Sequence, residues 1–165
     1  MPALIAGKTA PDFDLTTLDG KPFRLRQALA RGPVVLAFFK VSCPTCQYAF
    51  PLYERLFKAY QNRNVTLIGV SQNDSKDTAA FAKEFGVTFP ILLDDTKKYP
   101  VSNAYGLTNV PTLFWIAADG EIEVSSVGWS KPDFETINRK MGEAVHSAPA
   151  PLYKPGEDVL DFRAG

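Results

Sequence analysis

Histidine occurs once in the 165 residues and cysteine twice. Closed structural zinc sites take four ligands, and this chain offers three Cys and His side chains in all, so the scarcity argues against one. It equally argues against a disulfide-stapled scaffold. No run approaches the ~20 apolar residues that span a bilayer. Charge of one sign is missing too: 18 basic residues balance 18 acidic ones. No general attraction to nucleic acid or to an anionic membrane is expected. Residues 1–8 lack a charged n-region and a full apolar h-region, so the chain reads as cytoplasmic. No internal repeat is visible.

What remains is an ordinary globular composition, 45% hydrophobic and 22% charged, in a length that suits one domain with a sizeable core. Both cysteines fall in one stretch, Phe38-Phe39-Lys40-Val41-Ser42-Cys43-Pro44-Thr45-Cys46-Gln47. It joins an apolar, β-branched run, Val34 to Phe39, to an amphipathic run that starts at Pro44. The first reads as a strand buried on both faces. With Cys43 as N-cap, Pro44 occupies the first helical position, where its missing N–H costs nothing. Cys46 then shares a helix face with Cys43, and the pair can close a disulfide at the helix tip.

A four-residue loop is a poor place for a purely structural bridge. Chain entropy gives it about 2 kcal/mol, against roughly 4.7 kcal/mol for a 100-residue loop. A helix N-terminus does favour a thiolate, by about 0.3–1 kcal/mol and up to ~2 kcal/mol when partly buried. At about 1.36 kcal/mol per pKa unit, the dipole lowers a thiol pKa of ~8.5 by about one unit. Cys43, at the loop end, is the expected nucleophile. Cys46, one turn in, is the expected resolving thiol. Against this stand two bland readings, half of a zinc site and a pair of inert core thiols. His146, about a hundred residues on, reads as a surface or helix-capping residue.

Around this stretch the pattern alternates. Phe13–Thr16 and Pro22–Leu25, about the turn Leu18-Asp19-Gly20-Lys21, predict a β-hairpin. Arg26 to Ala30 is a brief helix. The helix after Cys43 carries Phe50, Tyr53, Leu56, Phe57 and Tyr60 on one face, with Pro51 inside it. Val65 to Val70 is a second buried strand, Asp77 to Phe85 a helix ended by Gly86, and Phe89 to Leu93 a short strand. Lys97 to Tyr105 is a short helix or turn. Thr112 to Ala117 and Ile122 to Val127 form a hairpin, and Lys131-Pro132-Asp133 opens a last helix facing Phe134, Ile137 and Met141 to the sheet. From residue 147 periodicity stops and prolines cluster. The domain is therefore expected to span 1–146, with 147–165 an extended or disordered tail. Strands alternating with helices imply an α/β fold with a mainly parallel sheet covered on both faces.

Cys43-Pro44-Thr45-Cys46 after a buried strand, followed by Asn109-Val110-Pro111-Thr112-Leu113-Phe114, resembles the thioredoxin fold. The leading Ala10-Pro11-Asp12-Phe13-Asp14-Leu15, the Asp19-Gly20-Lys21 turn and the insert around 72–95 narrow the likeness. Over about residues 7–145 the chain is similar to TlpA-like thiol–disulfide oxidoreductases, within the redoxin group that includes the alkyl hydroperoxide reductase/thiol-specific antioxidant proteins. That resemblance implies a three-layer α/β/α thioredoxin-like fold with a central mixed sheet, an N-terminal β-hairpin and an inserted βα unit. It implies that Cys43 attacks and Cys46 resolves. Pro111 matches the family's cis-proline, which leaves the Val110 backbone free to pair with a substrate strand, and Ser42 and Pro44 flank that contact. Pro51 falls where the family has a helix-kinking proline. The implied partners are a disulfide-bearing protein substrate and a thioredoxin-like electron donor, with no cofactor beyond the Cys43–Cys46 dithiol.

The chain also departs from the family. Ser42 stands where tryptophan is usual, and Ala37 and Ala49 stand where a carboxylate commonly assists the resolving thiol. Glu54 has no evident role, and Lys40 is a strand-end charge near Cys43. A thiol peroxidase, with Cys43 peroxidatic and Cys46 resolving, is the alternative. Its pattern calls for Thr or Ser three residues before the cysteine and Pro seven before, where this chain has Lys40 and Leu36. A non-catalytic binding module on the same fold is a third reading.

Overall fold

In a computed structural model that describes residues 3–165, the central strand is β3, Val34–Phe39, buried along its whole length. Alternate side chains point to opposite faces of a strand, and both faces here are covered. Val35, Ala37 and Phe39 pack into one apolar core, and Val34, Leu36 and Phe38 into another. This is why the run is uniformly apolar rather than alternating.

Six further strands complete the sheet: β1 (Asp14–Thr17), β2 (Pro22–Arg24), β4 (Thr66–Ser71), β5 (Ile91–Leu93), β6 (Thr112–Ile116) and β7 (Ile122–Val127). Their order is β2-β1-β5-β4-β3-β6-β7. β3, β4 and β5 run parallel, while β6 lies antiparallel to β3, and β1 antiparallel to β5. The leading hairpin thus extends the edge that the inserted βα unit creates. The helices are α1 (Leu25–Leu29), α2 (Pro44–Tyr60), α3 (Ser75–Phe85), α4 (Pro100–Ala104) and α5 (Lys131–Ala144). α2, α3 and α5 cover one face through Phe50, Tyr53, Leu56, Phe81, Phe134 and Met141. Leu25, Ala28, Val101 and Tyr105 cover the other. The result is the mixed-sheet, three-layer α/β/α fold expected from the sequence.

Local chemistry moves several boundaries. α3 starts at Ser75 rather than Asp77, because the Asp74 side chain caps it by accepting from the Asp77 N–H at 2.9 Å. β5 starts at Ile91 rather than Phe89. Pro90 has no N–H to give a ladder, and the N–H groups of Thr88 and Phe89 donate instead to the Glu54 carboxylate, at 2.8 and 3.2 Å. Pro100 opens α4 at its first position, so it starts the helix rather than interrupting it. His146 is exposed, in a left-handed conformation just past α5.

Residues 147–165 are extended and packed against the domain. Leu152 and Val159 are buried. Tyr60, at the end of α2, accepts from the Ala150 N–H at 2.9 Å and donates to Asn138 at 2.6 Å. Arg55 grips Glu157 through two hydrogen bonds, at 2.6 and 2.7 Å, and donates to the Leu152 carbonyl at 3.0 Å. Trp129 Nε1 donates to Leu160 O at 2.7 Å. The short strand β8 (Trp129–Ser130) then pairs antiparallel with β9 (Phe162–Arg163). The packing therefore runs well past residue 146, where the sequence pattern stops. It rests on single polar anchors rather than on a periodic apolar face.

Candidate active site

The loop from β3 into α2 is held from several sides. Val41 N–H donates to Asn73 Oδ1 at 2.9 Å, Gln47 Nε2 donates to Val41 O at 3.0 Å, and Cys43 N–H donates to Lys40 O at 3.2 Å. Cys43 is the N-cap of α2 and Pro44 its first residue, as the sequence predicts. The Cys43 sulfur accepts the Cys46 backbone N–H at 3.2 Å, one of the free donors at a helix start. Both cysteines are free thiols.

The two differ sharply in surroundings. Cys43 is half-buried, while Cys46 is fully buried among Ala37, Ala49, Phe50 and Tyr53. Burial, and then its neighbour Cys43, pushes the Cys46 thiol far above the ordinary cysteine range, with no carboxylate among the causes. The absence of acidic side chains at positions 37 and 49 is consistent with that. Glu54, on the same helix, is engaged elsewhere: its carboxylate caps the Thr88 and Phe89 backbone and accepts from the Thr88 hydroxyl.

On the opposite side of Cys43 lies the loop before β6. The Val110–Pro111 peptide bond is cis, as the resemblance implied. Cys43 Sγ donates to the Val110 carbonyl at 3.4 Å, across 67 positions of sequence. Thr112 Oγ1 closes the loop by donating to Asn109 O at 2.7 Å. The structure thus brings Cys43, Cys46, Val110 and Pro111 together at one end of the central strands, where β3 finishes and β6 begins. Ser42 and Pro44 lie exposed beside them, and Lys40 is exposed at the end of β3. Among the described residues there is no group of three or more His, Cys, Asp or Glu placed to hold a metal ion. No helix there is long and apolar enough to cross a membrane.

The profile of the AhpC/TSA family matches residues 6–125. The chain belongs to the AhpC/TSA family.

Within it, this AhpC/TSA protein is similar to the thiol-disulfide oxidoreductase ResA of Geobacillus kaustophilus, 36% identical over 135 residues, covering 81% of this chain and 76% of that one. Among solved structures, a thiol:disulfide interchange protein of the thioredoxin family from Chlorobium tepidum superposes with a TM-score of 0.68 at 28% identity. That match covers 88% of this chain and 99% of the other. The peroxidoxin BcpB of Mycobacterium tuberculosis superposes less extensively, with a TM-score of 0.64 at 26% identity over 74% of this chain and 85% of its own. These relatives make the present AhpC/TSA protein a thiol–disulfide oxidoreductase on a thioredoxin-like fold.

The site of this family member also holds residues that sequence reasoning did not single out. Thr45, between the two cysteines, is buried, and its hydroxyl donates to the Ala164 carbonyl at 2.6 Å. Asn109 Nδ2 donates to Gly165 O at 3.4 Å. A Cβ on Gly165 would fall 2.0 Å from Val110 O, so backbone at the end of the tail lies directly on the carbonyl that Cys43 faces. The one sequence signal for this course is Gly128. Its φ is +79°, and a Cβ there would fall 2.7 Å from Arg163 O, so only glycine lets the tail pass that closely.

Proposed function

We propose that the Cys43–Cys46 dithiol reduces disulfides of protein substrates through a mixed disulfide. The observation that carries this reading is the pairing of a half-buried sulfur at a helix N-cap, facing Val110 O, with a fully buried thiol one turn behind it. The Cys43 thiolate attacks one sulfur of the substrate disulfide. A Cys43–substrate S–S bond forms, the substrate's own S–S bond breaks, and the leaving sulfur takes up a proton. Cys46 then gives up its proton and attacks Cys43 Sγ. The Cys43–Cys46 disulfide closes, and the second substrate sulfur leaves as a thiol. Two electrons have passed to the substrate, and a thioredoxin-like dithiol donor returns them.

Burial of Cys46 supports this order of events. A thiol held protonated is a poor first nucleophile, because the thiolate is the reactive form. Val110 offers its backbone beside cis-Pro111 to an extended substrate segment, and exposed Ser42 and Pro44 border the approach. Both cysteines of the chain are in the dithiol and neither is spent on a structural bridge, which fits a reducing compartment such as the cytoplasm.

The peroxidase alternative is less favoured. Leu36 is buried inside β3 and Lys40 is exposed at its end, where the peroxidase pattern calls for proline and for threonine or serine. The deciding experiment runs reduction of insulin disulfides and consumption of hydrogen peroxide side by side. Insulin reduction that is lost in Cys43→Ser, with slow peroxide turnover, supports the reading. Rapid peroxide turnover with insulin left intact overturns it.

A further inference from the structure

Residues 164 and 165 lie where the proposed substrate segment has to lie. Three contacts put it there: Thr45 Oγ1 to Ala164 O at 2.6 Å, Asn109 Nδ2 to Gly165 O at 3.4 Å, and the backbone of Gly165 against Val110 O. The strand β9 supplies the direction, pairing Arg163 with Trp129 and Phe162 with Ser130. Val110 O is thus faced by Cys43 Sγ and crossed by the tail at once.

The hold on the tail is graded. Upstream it is strong: buried Leu152 and Val159, the twofold Arg55–Glu157 contact, and Trp129 Nε1 on Leu160 O. From Asp161 onward every residue is exposed, with Phe162 at 62%. There the attachments are a two-residue ladder, the Lys131 N–H to Asp161 O bond at 2.9 Å and the Thr45 and Asn109 hydrogen bonds. Residues 161–165 are thus held by fewer contacts than the packed part behind them.

We propose that residues 161–165 are an intramolecular occupant of the substrate-strand site, which a protein substrate displaces before its disulfide reaches Cys43. This rests on the reading above, that Val110 and Cys43 receive an extended protein substrate. The tail carries no cysteine, so it occupies the site without reacting. Because it is tethered, it competes at a high effective concentration. It therefore selects for substrates that offer enough backbone and side-chain contact to replace it, and against short peptides that offer less.

The test uses the full chain with two substitutions. Gly165→Val places a side chain where the structure has none to spare, against Val110 O. Arg163→Pro removes an N–H and fixes φ in β9. Insulin reduction and reduction of 5,5′-dithiobis(2-nitrobenzoate) are measured for both variants and for wild type. The expected result is a kcat/KM for insulin raised by about tenfold, which is about 1.4 kcal/mol of competition removed, with an unchanged rate on the small disulfide. An unchanged insulin rate, with the small-disulfide rate retained, overturns the tail proposal and leaves the oxidoreductase reading standing. Failure of wild type and of both variants on insulin overturns that reading and the tail proposal with it. A second measurement leaves the tail sequence unchanged. Amide exchange at residues 162–165 of Cys46→Ser is compared before and after a mixed disulfide with a protein substrate is trapped. Faster exchange in the trapped species supports displacement, and unchanged exchange contradicts it.

Discussion

Cys43 Sγ lies 3.4 Å from the carbonyl oxygen of Val110. The two belong to different halves of the fold, one at the start of α2 and the other in the loop that leads into β6. The antiparallel pairing of β3 with β6, Phe38 opposite Thr112, brings them together. The site is thus a property of strand register. A one-residue slip of β6 would exchange the side chains it gives to the two cores and carry Val110 away from the sulfur.

Burial of Cys46 makes stability of the reduced protein sensitive to alkali. Its pKa in the fold is raised above the unfolded value of about 8.5. The contribution is therefore complete below about pH 8.5 and shrinks as pH rises, because only the unfolded chain then releases the proton. The slope reaches about 1.36 kcal/mol per pH unit per proton. Tyr53 and Tyr105, also raised by burial, add losses of the same sign from about pH 10. Urea unfolding between pH 7 and 11 is expected to show the reduced form weakening about 1.5 pH units earlier than the oxidised form. Cys46→Ala is expected to lose this early weakening and to follow the pH profile of the oxidised wild type. Identical pH profiles for the two redox forms would contradict the account.

Glu54 is a structural carboxylate. It holds the backbone of Thr88 and Phe89 ahead of β5, on the far side of the sheet order from β6. Glu54→Ala leaves the buried Phe89 N–H without its acceptor, at a cost of about 1–3 kcal/mol. Thermal unfolding is expected to show that loss, while insulin reduction at 25 °C is retained. A large fall in kcat without loss of Tm would instead make Glu54 part of proton transfer.

The tail anchor responds to acid. Hydrogen bonds from Arg55, and then from the Lys154 N–H, hold the Glu157 carboxyl down at about 2. The depressed value means that its contribution is present above the unfolded pKa of about 4.3 and disappears as pH falls through about 2. The protection factor of the Leu160 amide, which donates to Tyr48 Oη at 3.0 Å, is expected to be high at neutral pH and to fall below about pH 4. Glu157→Gln is expected to lower it at neutral pH and to converge with wild type at the acid end, where Glu157 is itself protonated. Equal protection of wild type and variant at neutral pH would remove Glu157 from the anchor.

Much of this was legible in the sequence because strong local signals agreed. The uniform apolar run of β3, the proline after an N-cap cysteine, and the Val110-Pro111-Thr112 motif each constrain one element, and each element formed where expected. The βα boundaries were less legible, because they were set by side chains reaching across the fold: Asp74 drew α3 two residues earlier, and Glu54 kept Thr88 and Phe89 out of β5. The tail was the least legible part. Its order comes from side chains far away in sequence: Arg55 meets Leu152 O and Glu157, and Tyr60, Trp129 and Thr45 meet one tail group each. No periodic pattern records such anchors, and the close approaches at Gly128 and Gly142 are the traces they leave.

The central claim concerns which sulfur meets the substrate. Cys43→Ser and Cys46→Ser, each as the reduced full chain, are incubated with a disulfide-bearing protein, and covalent adducts are identified by non-reducing mass spectrometry. The account predicts a stable mixed disulfide through Cys43 in Cys46→Ser, because the resolving thiol is missing, and no adduct in Cys43→Ser, where the remaining thiol is buried. An adduct through Cys46, or none in either variant, would contradict it.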